Sequence, residues 1–334
     1  MRRSSRVKIA LAIAGLILVL VLLEFGLDAI DHLGDFRDED KSGIEETEIF
    51  LGDHKYVIHH NLENYLLLGT DASGNEEGTG EEYHGKMADF LLLVVLDRTN
   101  HTYGFLHIDR NTMAEIPIKD SEGKGEATYT GQLCTAHWYD GNPEMSCENT
   151  VQAVSDFLGG LPIDGYYSIN MNDVGILNRA VDGVTVTLDE DFSEYDPEMT
   201  EGKTLTLNDE QAEIFVRGRM NVGDGTNAAR MTRQEEYMKS FLDKVLEAAS
   251  KNPDFVNDLY KALKDRAVTD MPGSRLSAIA NQVHEGTSNG LLRFEGETKE
   301  GKALKDELYH AEFYPTEESV VKTLEQLTNM KKEF

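Results

Sequence analysis

The chain contains uninterrupted runs of hydrophobic residues, and these runs predict the strands of a buried β-sheet. Residues 65–70 and 90–96 form two such runs, and residues 102–108 follow after a turn signal, Asp97-Arg-Thr-Asn100. A strand that is apolar at every position is covered on both faces, whereas a half-exposed strand alternates between apolar and polar residues. The pattern therefore predicts a layered α/β fold.

Apolar residues at helical spacing predict several helices, of which the longest spans 229–249. Asn208, followed by Gln211, resembles a capping box, and Ser146 is a candidate N-cap. The predicted helices cover 146–157, 208–215, 229–249, 253–265, 275–283 and 316–331, and further strands are predicted over 181–188, 291–294 and 312–314. The alternation of strands and helices agrees with the layered α/β fold.

The N-terminal part predicts one membrane-spanning helix over residues 9–27, interrupted by Glu24. Basic residues precede this stretch and acidic residues follow it, so the bulk of the chain is expected outside the cell. The alternative is a cleaved signal peptide, although no small-x-small cleavage site follows Leu23. The predicted segments are a cytoplasmic tail (1–8), a transmembrane anchor (9–27), a charged and irregular stalk or accessory segment (28–60) and an extracellular domain (61–331).

The composition is strongly acidic, with 32 Lys and Arg against 61 Asp and Glu and a formal net charge of −29. Binding to nucleic-acid phosphates needs basic residues, so this charge excludes a general nucleic-acid binder. Hydrophobic residues make up 40% of the chain, which excludes a wholly disordered protein. An anionic ligand would need a local cluster of basic residues.

The two cysteines, Cys134 and Cys147, are close enough in sequence to form a disulfide outside the cell. Closing so short a loop would contribute about 3 kcal/mol in the chain-entropy model. The alternative is two buried free thiols. Two cysteines are too few for a zinc site made of four cysteines.

Acidic residues stand at the ends of two predicted strands. Asp71 follows the first strand, Asp89 begins the second, and Arg110 comes shortly after the third. Carboxylates at the ends of neighbouring buried strands can converge on a hard cation, and oxygen ligands favour Mg²⁺ or Mn²⁺ over zinc. The two aspartates are therefore candidate metal ligands, whereas Asp71 taken alone is also typical of a turn or cap residue.

Arginines are concentrated farther along the chain. Arg217 and Arg219 are separated by one glycine, while Arg230, Arg233 and Gln234 share one face of a predicted helix. Arginine forks bind phosphate oxygens through two parallel hydrogen bonds. Because an isolated arginine pair is usually solvated surface, the phosphate-site interpretation depends on this order and spacing together with the two aspartates.

These motifs together resemble the LytR-CpsA-Psr family of bacterial cell-envelope proteins, from about residue 64 to residue 327. The matching stretches are Leu66-Leu-Leu-Gly-Thr-Asp71, Ala88-Asp89, Arg110-Asn-Thr112, Leu161-Pro-Ile-Asp-Gly-Tyr166, Ala180-Val-Asp-Gly-Val-Thr-Val186, Leu207-Asn-Asp-Glu-Gln-Ala212, Val216-Arg-Gly-Arg219 and Arg230-Met-Thr-Arg-Gln234. The resemblance implies a three-layer α-β-α sandwich with a central, mostly mixed β-sheet and a hydrophobic tunnel for a lipid. Residues 91–96 and the tyrosines near Tyr166 are candidates for the tunnel wall.

The resemblance also implies a phosphotransferase that moves a glycopolymer from a polyprenyl-pyrophosphate carrier to peptidoglycan, forming a phosphodiester. By match to the family motifs, Asp71, Asp89 and Arg110 are catalytic, and the two aspartates bind Mg²⁺ or Mn²⁺. The matched pyrophosphate-binding residues are Arg217, Arg219, Arg230, Arg233 and Gln234. Phosphoryl transfer depends mainly on positioning and charge stabilisation, so no activated serine or cysteine is needed. The implied location is the bacterial cell membrane, with one span and an extracellular C-terminal domain.

Two positions depart from the family pattern. Met87-Ala-Asp89 stands where the family usually has Arg-Ser-Asp, and the neighbouring Lys86 is a point charge without the guanidinium fork. Asp109-Arg-Asn111 stands where the family usually has Pro-Arg-Asp. Because Asn111 cannot act as a carboxylate base, that role would be lost or moved to Asp109.

These departures motivate a second hypothesis, a non-catalytic protein of the same fold that binds a polyprenyl phosphate or a wall polymer as a scaffold or regulator. Transcription regulation, suggested only by the family's historical name, conflicts with the outward topology and the acidity. The acidic loop 72–84 is a lid, an acceptor-selecting element or a tolerated insertion. Among His84, His107 and His137, none has an assigned role, and His107 is the first to test.

Overall fold

The computed structural model describes most of the chain from residue 46 onward. The described ranges are 46–59, 61–70, 87–119, 127–138, 142–219, 221–252, 255–272, 275, 278–279, 282–283, 286–303 and 308–333. Within these ranges, no helix has both the length and the apolar character needed to cross a membrane. The predicted anchor over 9–27 and the acidic loop that follows Asp71 lie outside the described residues, as does Asp71 itself.

The regular elements alternate along the chain as the hydrophobic pattern predicts. The strands are β1 (Thr47–Leu51), β2 (His54–Ile58), β3 (Leu62–Thr70), β4 (Ala88–Asp97), β5 (Thr102–Ile108), β6 (Met113–Ile118), β7 (Ala127–Gln132), β8 (Gly165–Asn170), β9 (Thr185–Thr187), β10 (Thr204–Thr206), β11 (Val268–Thr269), β12 (Thr287–Leu292), β13 (Gly296–Gly301), β14 (His310–Pro315) and β15 (Lys331–Lys332). The helices are α1 (Pro143–Phe157), α2 (Val174–Ala180), α3 (Asp209–Arg217), α4 (Asn227–Lys251), α5 (Phe255–Leu263) and α6 (Glu317–Thr328). Short 3-10 helices cover Leu133–His137 and Met171–Asp173.

The central sheet is mixed, with the strand order β11-β8-β3-β4-β5-β12. β4 runs antiparallel to both β3 and β5, whereas β8 is parallel to β3 and β12 is parallel to β5. Because of these directions, the end of β3, the start of β4 and the ends of β5 and β8 lie at the same edge of the sheet. The expected mixed α/β sheet is confirmed.

Helices cover both faces of this sheet, and every residue of β4 is buried. Alternate side chains of β4 belong to two separate apolar cores. Leu91 and Leu93 pack on the side of α1, α6 and the β1–β2 hairpin. Phe90 and Leu92 pack on the side of α2 to α5. An apolar run without alternation is therefore the sequence signature of a strand buried on both faces.

Helix starts follow from capping chemistry. The side chain of Asn208 accepts from the backbone N–H of Gln211 and the Gln211 side chain accepts in return, so the predicted capping box at the start of α3 is confirmed. Helix α1 begins at Pro143 rather than at Ser146, because the side chain of Asn142 accepts a backbone hydrogen bond there. Ser146 lies inside the helix, where its hydroxyl donates to the Asn142 carbonyl oxygen.

Two predicted segments differ from the structure. The strand predicted over 181–188 shrinks to β9, because Asp182 and Gly183 have positive φ angles of 57° and 87° and turn the chain. Within the segment predicted as an irregular stalk or accessory element, residues 47–58 form a hairpin of β1 and β2. Strand β15 pairs with β2 and completes a three-stranded sheet.

Candidate functional site

Asp89 lies at the start of β4 and is the centre of a buried charge cluster. Its Oδ1 lies 2.5 Å from Nη1 of Arg110, and its Oδ2 lies 3.1 Å from Nη1 of Arg230. Arg110 follows β5, whose end neighbours the start of β4, and Arg230 lies in the first turn of α4. The structure therefore brings together three of the predicted site residues, with two guanidinium groups on one carboxylate.

The other terminal nitrogen of Arg110, Nη2, faces two sulfur atoms. It donates to Sγ of Cys134 at 3.1 Å and also contacts Sδ of Met87. Met87 is the residue that replaces the arginine of the family motif. Because sulfur is a weak hydrogen-bond acceptor, this contact fixes Arg110 less firmly than the carboxylate of Asp89 does.

Arg230 has a second polar partner that the sequence reasoning missed. Its Nη2 donates to Oδ1 of Asn227 at 2.5 Å, and Nδ2 of Asn227 donates to Oδ1 of Asp109 at 2.7 Å. Asn227 precedes Arg230 by three residues on α4, and that i, i+3 spacing was the available sequence signal. The carboxylate of Asp109 is thereby connected to the Asp89 cluster.

The side chain of Asn111 lies on another side of the same loop. Its Oδ1 accepts from Nε2 of Gln132 at 3.3 Å, and its backbone oxygen accepts from the N–H of Phe313 at 2.8 Å. Asn111 is buried and belongs to the contact between this loop and strands β7 and β14. Of the two polar residues that flank Arg110, Asp109 is the one connected to Arg230.

A partly open, apolar cavity lies next to the charge cluster. Its wall is mostly apolar and includes Phe90, which follows Asp89, together with Tyr167. Gln234 also lines it, with 3% of its surface exposed, and its Nε2 donates to the backbone oxygen of Val216 at 3.2 Å. Its Oε1 has no hydrogen-bond partner among the described residues. The predicted tunnel residues 91–96 do not line this cavity; their neighbour Phe90 does.

Of the arginines that flank Gly218, Arg217 has local partners. Arg217 donates to Oδ1 of Asn172 at 2.8 Å and to Oε1 of Glu213 at 2.5 Å. Arg219 is partly exposed in the segment that follows α3. The phosphate-binding roles of Arg217 and Arg219 stay predictions.

Arg233 lies in a buried contact of α4 with the end of α3 and the segment between β9 and β10. Its guanidinium donates to the backbone oxygens of Phe215 (3.1 Å) and Gly218, pairs with Glu190 and lies 5.3 Å from the centroid of the Phe192 ring. Arg233 therefore has different partners from Arg230, although only three residues separate them on one helix. These contacts favour a structural role for Arg233 over the predicted phosphate binding.

His107 belongs to a second buried network. Its Nδ1 lies 2.9 Å from Oε1 of Glu235, which also accepts from Nε of Arg293 at 2.8 Å. Burial lowers the pKa of His107 below its ordinary value, so the ring is neutral and donates Nδ1–H to Glu235. The His107 ring packs against Phe90, with centroids 4.9 Å apart. Sequence position gave no signal for the partnership with Arg293.

The predicted disulfide between Cys134 and Cys147 is wrong, because both cysteines are free and buried. Cys134 faces Arg110, whereas Sγ of Cys147 lies 3.5 Å from Nε2 of His137 in the core between α1 and the sheet. Burial raises the pKa of Cys147 to about 12, and burial also raises that of Cys134. Both residues are therefore protonated thiols, in agreement with the alternative left open from the sequence.

The described residues do not form a metal site by themselves. Among them, no group of three His, Cys, Asp or Glu side chains is placed to bind a metal ion. Both oxygens of Asp89 face guanidinium groups, and the second predicted ligand, Asp71, lies outside the described residues. Binding of Mg²⁺ or Mn²⁺ therefore stays a prediction.

Comparison with known proteins identifies the family. The family model described as "LytR_cpsA_psr family" matches residues 36–331. The chain is 29% identical to a polyisoprenyl-teichoic acid–peptidoglycan teichoic acid transferase, TagU, of Bacillus cereus. The aligned part is 62% of this chain and spans 58% of that relative's length. TagU of Enterococcus faecalis is 27% identical over 82% of both chains.

The solved structure titled "TagT bound to LIIa-WTA" shares the fold, with a TM-score of 0.57 and 20% identity over 85% of this chain and 93% of that chain. Its mixed α/β architecture agrees with the central mixed sheet described above. Because the family match covers most of the chain, the sequence expectation is confirmed. The chain belongs to the LytR-CpsA-Psr family.

Proposed function

We propose that the chain transfers a glycopolymer phosphate from a polyprenyl-pyrophosphate carrier to a hydroxyl group of peptidoglycan, forming a phosphodiester. One observation carries this proposal: Arg110 and Arg230 converge on buried Asp89 beside an apolar cavity. The names of the teichoic acid transferases to which the chain is similar support the same class of reaction.

The two arginines supply the charge that the reaction needs. Pyrophosphate concentrates negative charge, and guanidinium groups in a buried site stabilise that charge more strongly than water does. In the absence of substrate, Asp89 pairs with both arginines and keeps them close together. The cavity offers apolar surface to the prenyl chain, and each buried methylene contributes about 0.8 kcal/mol to binding.

The transfer exchanges one phosphorus–oxygen bond for another. The oxygen of the acceptor hydroxyl bonds to the phosphorus that carries the glycopolymer, and its proton is released to water. The bond from that phosphorus to the bridging oxygen breaks, and polyprenyl phosphate leaves with the electron pair. Arg110 and Arg230 are the groups that would bind the phosphate oxygens during this exchange.

Mg²⁺ or Mn²⁺ bound by Asp71 and Asp89 is a separate part of the proposal. It is supported by the sequence motif and by the preference of these ions for carboxylate oxygens. No step above depends on the ion. Calorimetric titration of the full chain with Mg²⁺ tests the proposal, because Asp89→Asn and Asp71→Asn should each remove binding. If both variants bind Mg²⁺ with wild-type affinity, this ligand assignment is refuted.

We also propose that residues 9–27 anchor the chain in the bacterial cell membrane, with the tail 1–8 inside and the domain 61–331 outside. The basic residues before this stretch and the acidic residues after it support that orientation. Reporter fusions at the C-terminus should report an extracellular location, and a cytoplasmic signal would refute the topology.

The main test uses the full chain in detergent with a polyprenyl-pyrophosphate-linked glycopolymer and peptidoglycan fragments. Release of polyprenyl phosphate should fall by roughly 100-fold or more in Asp89→Asn and Arg230→Met, because each change removes part of the charge cluster. Arg179→Met is the matched control, since Arg179 is an exposed arginine paired with Asp209. Wild-type turnover in Asp89→Asn and Arg230→Met would refute the proposal.

Met87 stands where the family motif has an arginine, and this difference motivates a second candidate function. A protein with a weakened phosphate site would bind the polyprenyl pyrophosphate and act as a scaffold or regulator. Tight lipid binding by the wild-type chain without any release of polyprenyl phosphate would favour this function. Release that depends on Asp89 would exclude it.

A further inference from the structure

Asp109, Asn227 and Arg230 form a chain of short hydrogen bonds that ends at the carboxylate of Asp89. Asp109 Oδ1 accepts from Nδ2 of Asn227 at 2.7 Å, and Asn227 Oδ1 accepts from Nη2 of Arg230 at 2.5 Å. Nη1 of the same guanidinium pairs with Asp89. Asn227, Arg230 and Asp89 are all buried.

The donor and acceptor types of these groups fix the orientation of Asn227. A guanidinium has only donors, so the amide oxygen of Asn227 must face Arg230. The amide nitrogen then faces Asp109, whose carboxylate accepts its hydrogen bond. Asp109 is itself fixed, because its Oδ1 also accepts from the backbone N–H of Asn111 at 2.8 Å.

This orientation matters most when substrate binds. An arginine side chain has about 2 kcal/mol of rotamer entropy. Asp89 pairs with Nη1 of Arg230, whereas Asn227 binds Nη2. When phosphate oxygens compete with Asp89 for the guanidinium, the bond to Asn227 remains. Asn227 can supply that restraint only while its amide oxygen faces Arg230, which is the arrangement that Asp109 selects.

We propose that Asp109 is a positioning residue for the phosphate-binding Arg230 and acts on it through Asn227. The inference rests on the proposed function, because it takes the donor pyrophosphate as the ligand of Arg230. Asp109 touches neither Arg230 nor the reacting atoms in this arrangement. Its contribution is to keep the guanidinium plane in one orientation as charge develops on the phosphate.

A purely structural role for Asp109, through its bond to the Asn111 backbone, makes a different prediction. That role depends on Asp109 alone and is indifferent to whether residue 227 carries an amide or a carboxylate. The positioning role depends on the pair, because one residue must donate and the other must accept. Exchanging the two side-chain types across the pair therefore separates these roles.

The experiment compares Asn227→Asp, Asp109→Ala and the exchange variant Asp109→Asn with Asn227→Asp, each in the full chain. Asn227→Asp places two carboxylates against each other, so kcat should fall at least tenfold. Asp109→Ala should cause a similar loss because it frees the amide of Asn227. In the exchange variant the new amide of residue 109 donates through Nδ2 to the new carboxylate, which still accepts from Arg230. The amide turns for this, so that its Oδ1 keeps the bond from the backbone N–H of Asn111. Most of the lost kcat should return.

Each variant is also measured for donor KM, unfolding temperature and affinity for a polyprenyl pyrophosphate. Positioning in the transition state lowers kcat and kcat/KM together while the unfolding temperature stays near that of wild type. An exchange variant no more active than Asn227→Asp would overturn the proposal, as would wild-type kcat in Asp109→Ala. This comparison remains decisive if Asp109→Ala fails to fold.

Failure of the proposed function gives a distinct result. If the wild-type chain releases no polyprenyl phosphate, the transferase proposal is refuted, and the same three variants are read by lipid affinity. Weaker binding in Asn227→Asp that returns in the exchange variant supports positioning of Arg230 at a binding site. Equal affinity in all variants refutes it.

Discussion

Replacing Arg233 with methionine should destabilise the fold and leave the transfer reaction of the folded protein nearly unchanged. Arg233 donates to the backbone oxygens of Phe215 and Gly218 and pairs with Glu190, and its guanidinium lies over the Phe192 ring. These contacts join α4 to the end of α3 and to the segment between β9 and β10. The variant removes all of the polar contacts and keeps most of the side-chain volume.

The magnitude follows from the burial of the pair. Removing one partner of a buried ion pair costs about 3–5 kcal/mol. The lower end applies here, because the side chain of Glu190 remains 20% exposed and water can solvate part of its charge. The expected loss is about 3 kcal/mol of unfolding free energy. That loss corresponds to a decrease of roughly 6–12 °C in the unfolding temperature of a domain of this size class.

The assay is urea unfolding followed by circular dichroism, with turnover measured at a temperature where every variant is folded. Arg179→Met is the control, since the side chain of Arg179 is 74% exposed in its pair with Asp209 and should contribute little. Adding Glu190→Gln to Arg233→Met should recover part of the loss by removing the unpaired carboxylate. Wild-type stability combined with lost substrate binding in Arg233→Met would refute this reasoning and restore the predicted phosphate-binding role.

Two further predictions concern stability. Because the pKa of His107 is lowered from 6.5, the unfolded chain binds more protons than the folded chain in acid, so the free energy of unfolding should fall from pH 7 to pH 5.5. Thermal melting should show a smaller fall in His107→Asn. An unchanged fall in this variant would contradict the assignment. Gly159 and Gly160 both have positive φ, but only at Gly159 would a Cβ meet a backbone atom, the oxygen of Phe50 at 2.4 Å. Urea unfolding should therefore show a loss of about 1–2 kcal/mol in Gly160→Ala and a clearly larger loss in Gly159→Ala, and equal losses would contradict the clash.

The sequence predicts those elements whose pattern is local. Strand β4 is identifiable because its apolar run has no alternation, and α3 is identifiable because Asn208 and Gln211 satisfy each other's backbone groups. The parallel pairing of β8 with β3 and of β12 with β5 is not written in any short window. Such pairing depends on contacts between residues far apart in the chain, and the register follows from packing of both sheet faces.

The candidate site was likewise predictable only in part from the sequence. The motif positions of Asp89, Arg110 and Arg230 were enough to predict a cluster, because strand ends and a helix start bring them to one edge. The direction in which a side chain points was not predictable from spacing alone. Arg233 is three residues from Arg230 but pairs with Glu190, because the partner of a side chain depends on the elements that pack against the helix at that position.

The pairing of β15 with β2 has a consequence for the order of folding. Lys331 and Lys332 hydrogen-bond to the strand that contains Tyr56 and Val57, so the N-terminal hairpin has an open edge until the far end of the domain arrives. Contacts of such high sequence separation form late and slow the rate of folding. A chain emerging N-terminus first therefore exposes an unpaired strand edge during its synthesis, which is the stage at which a chaperone would protect it from aggregation.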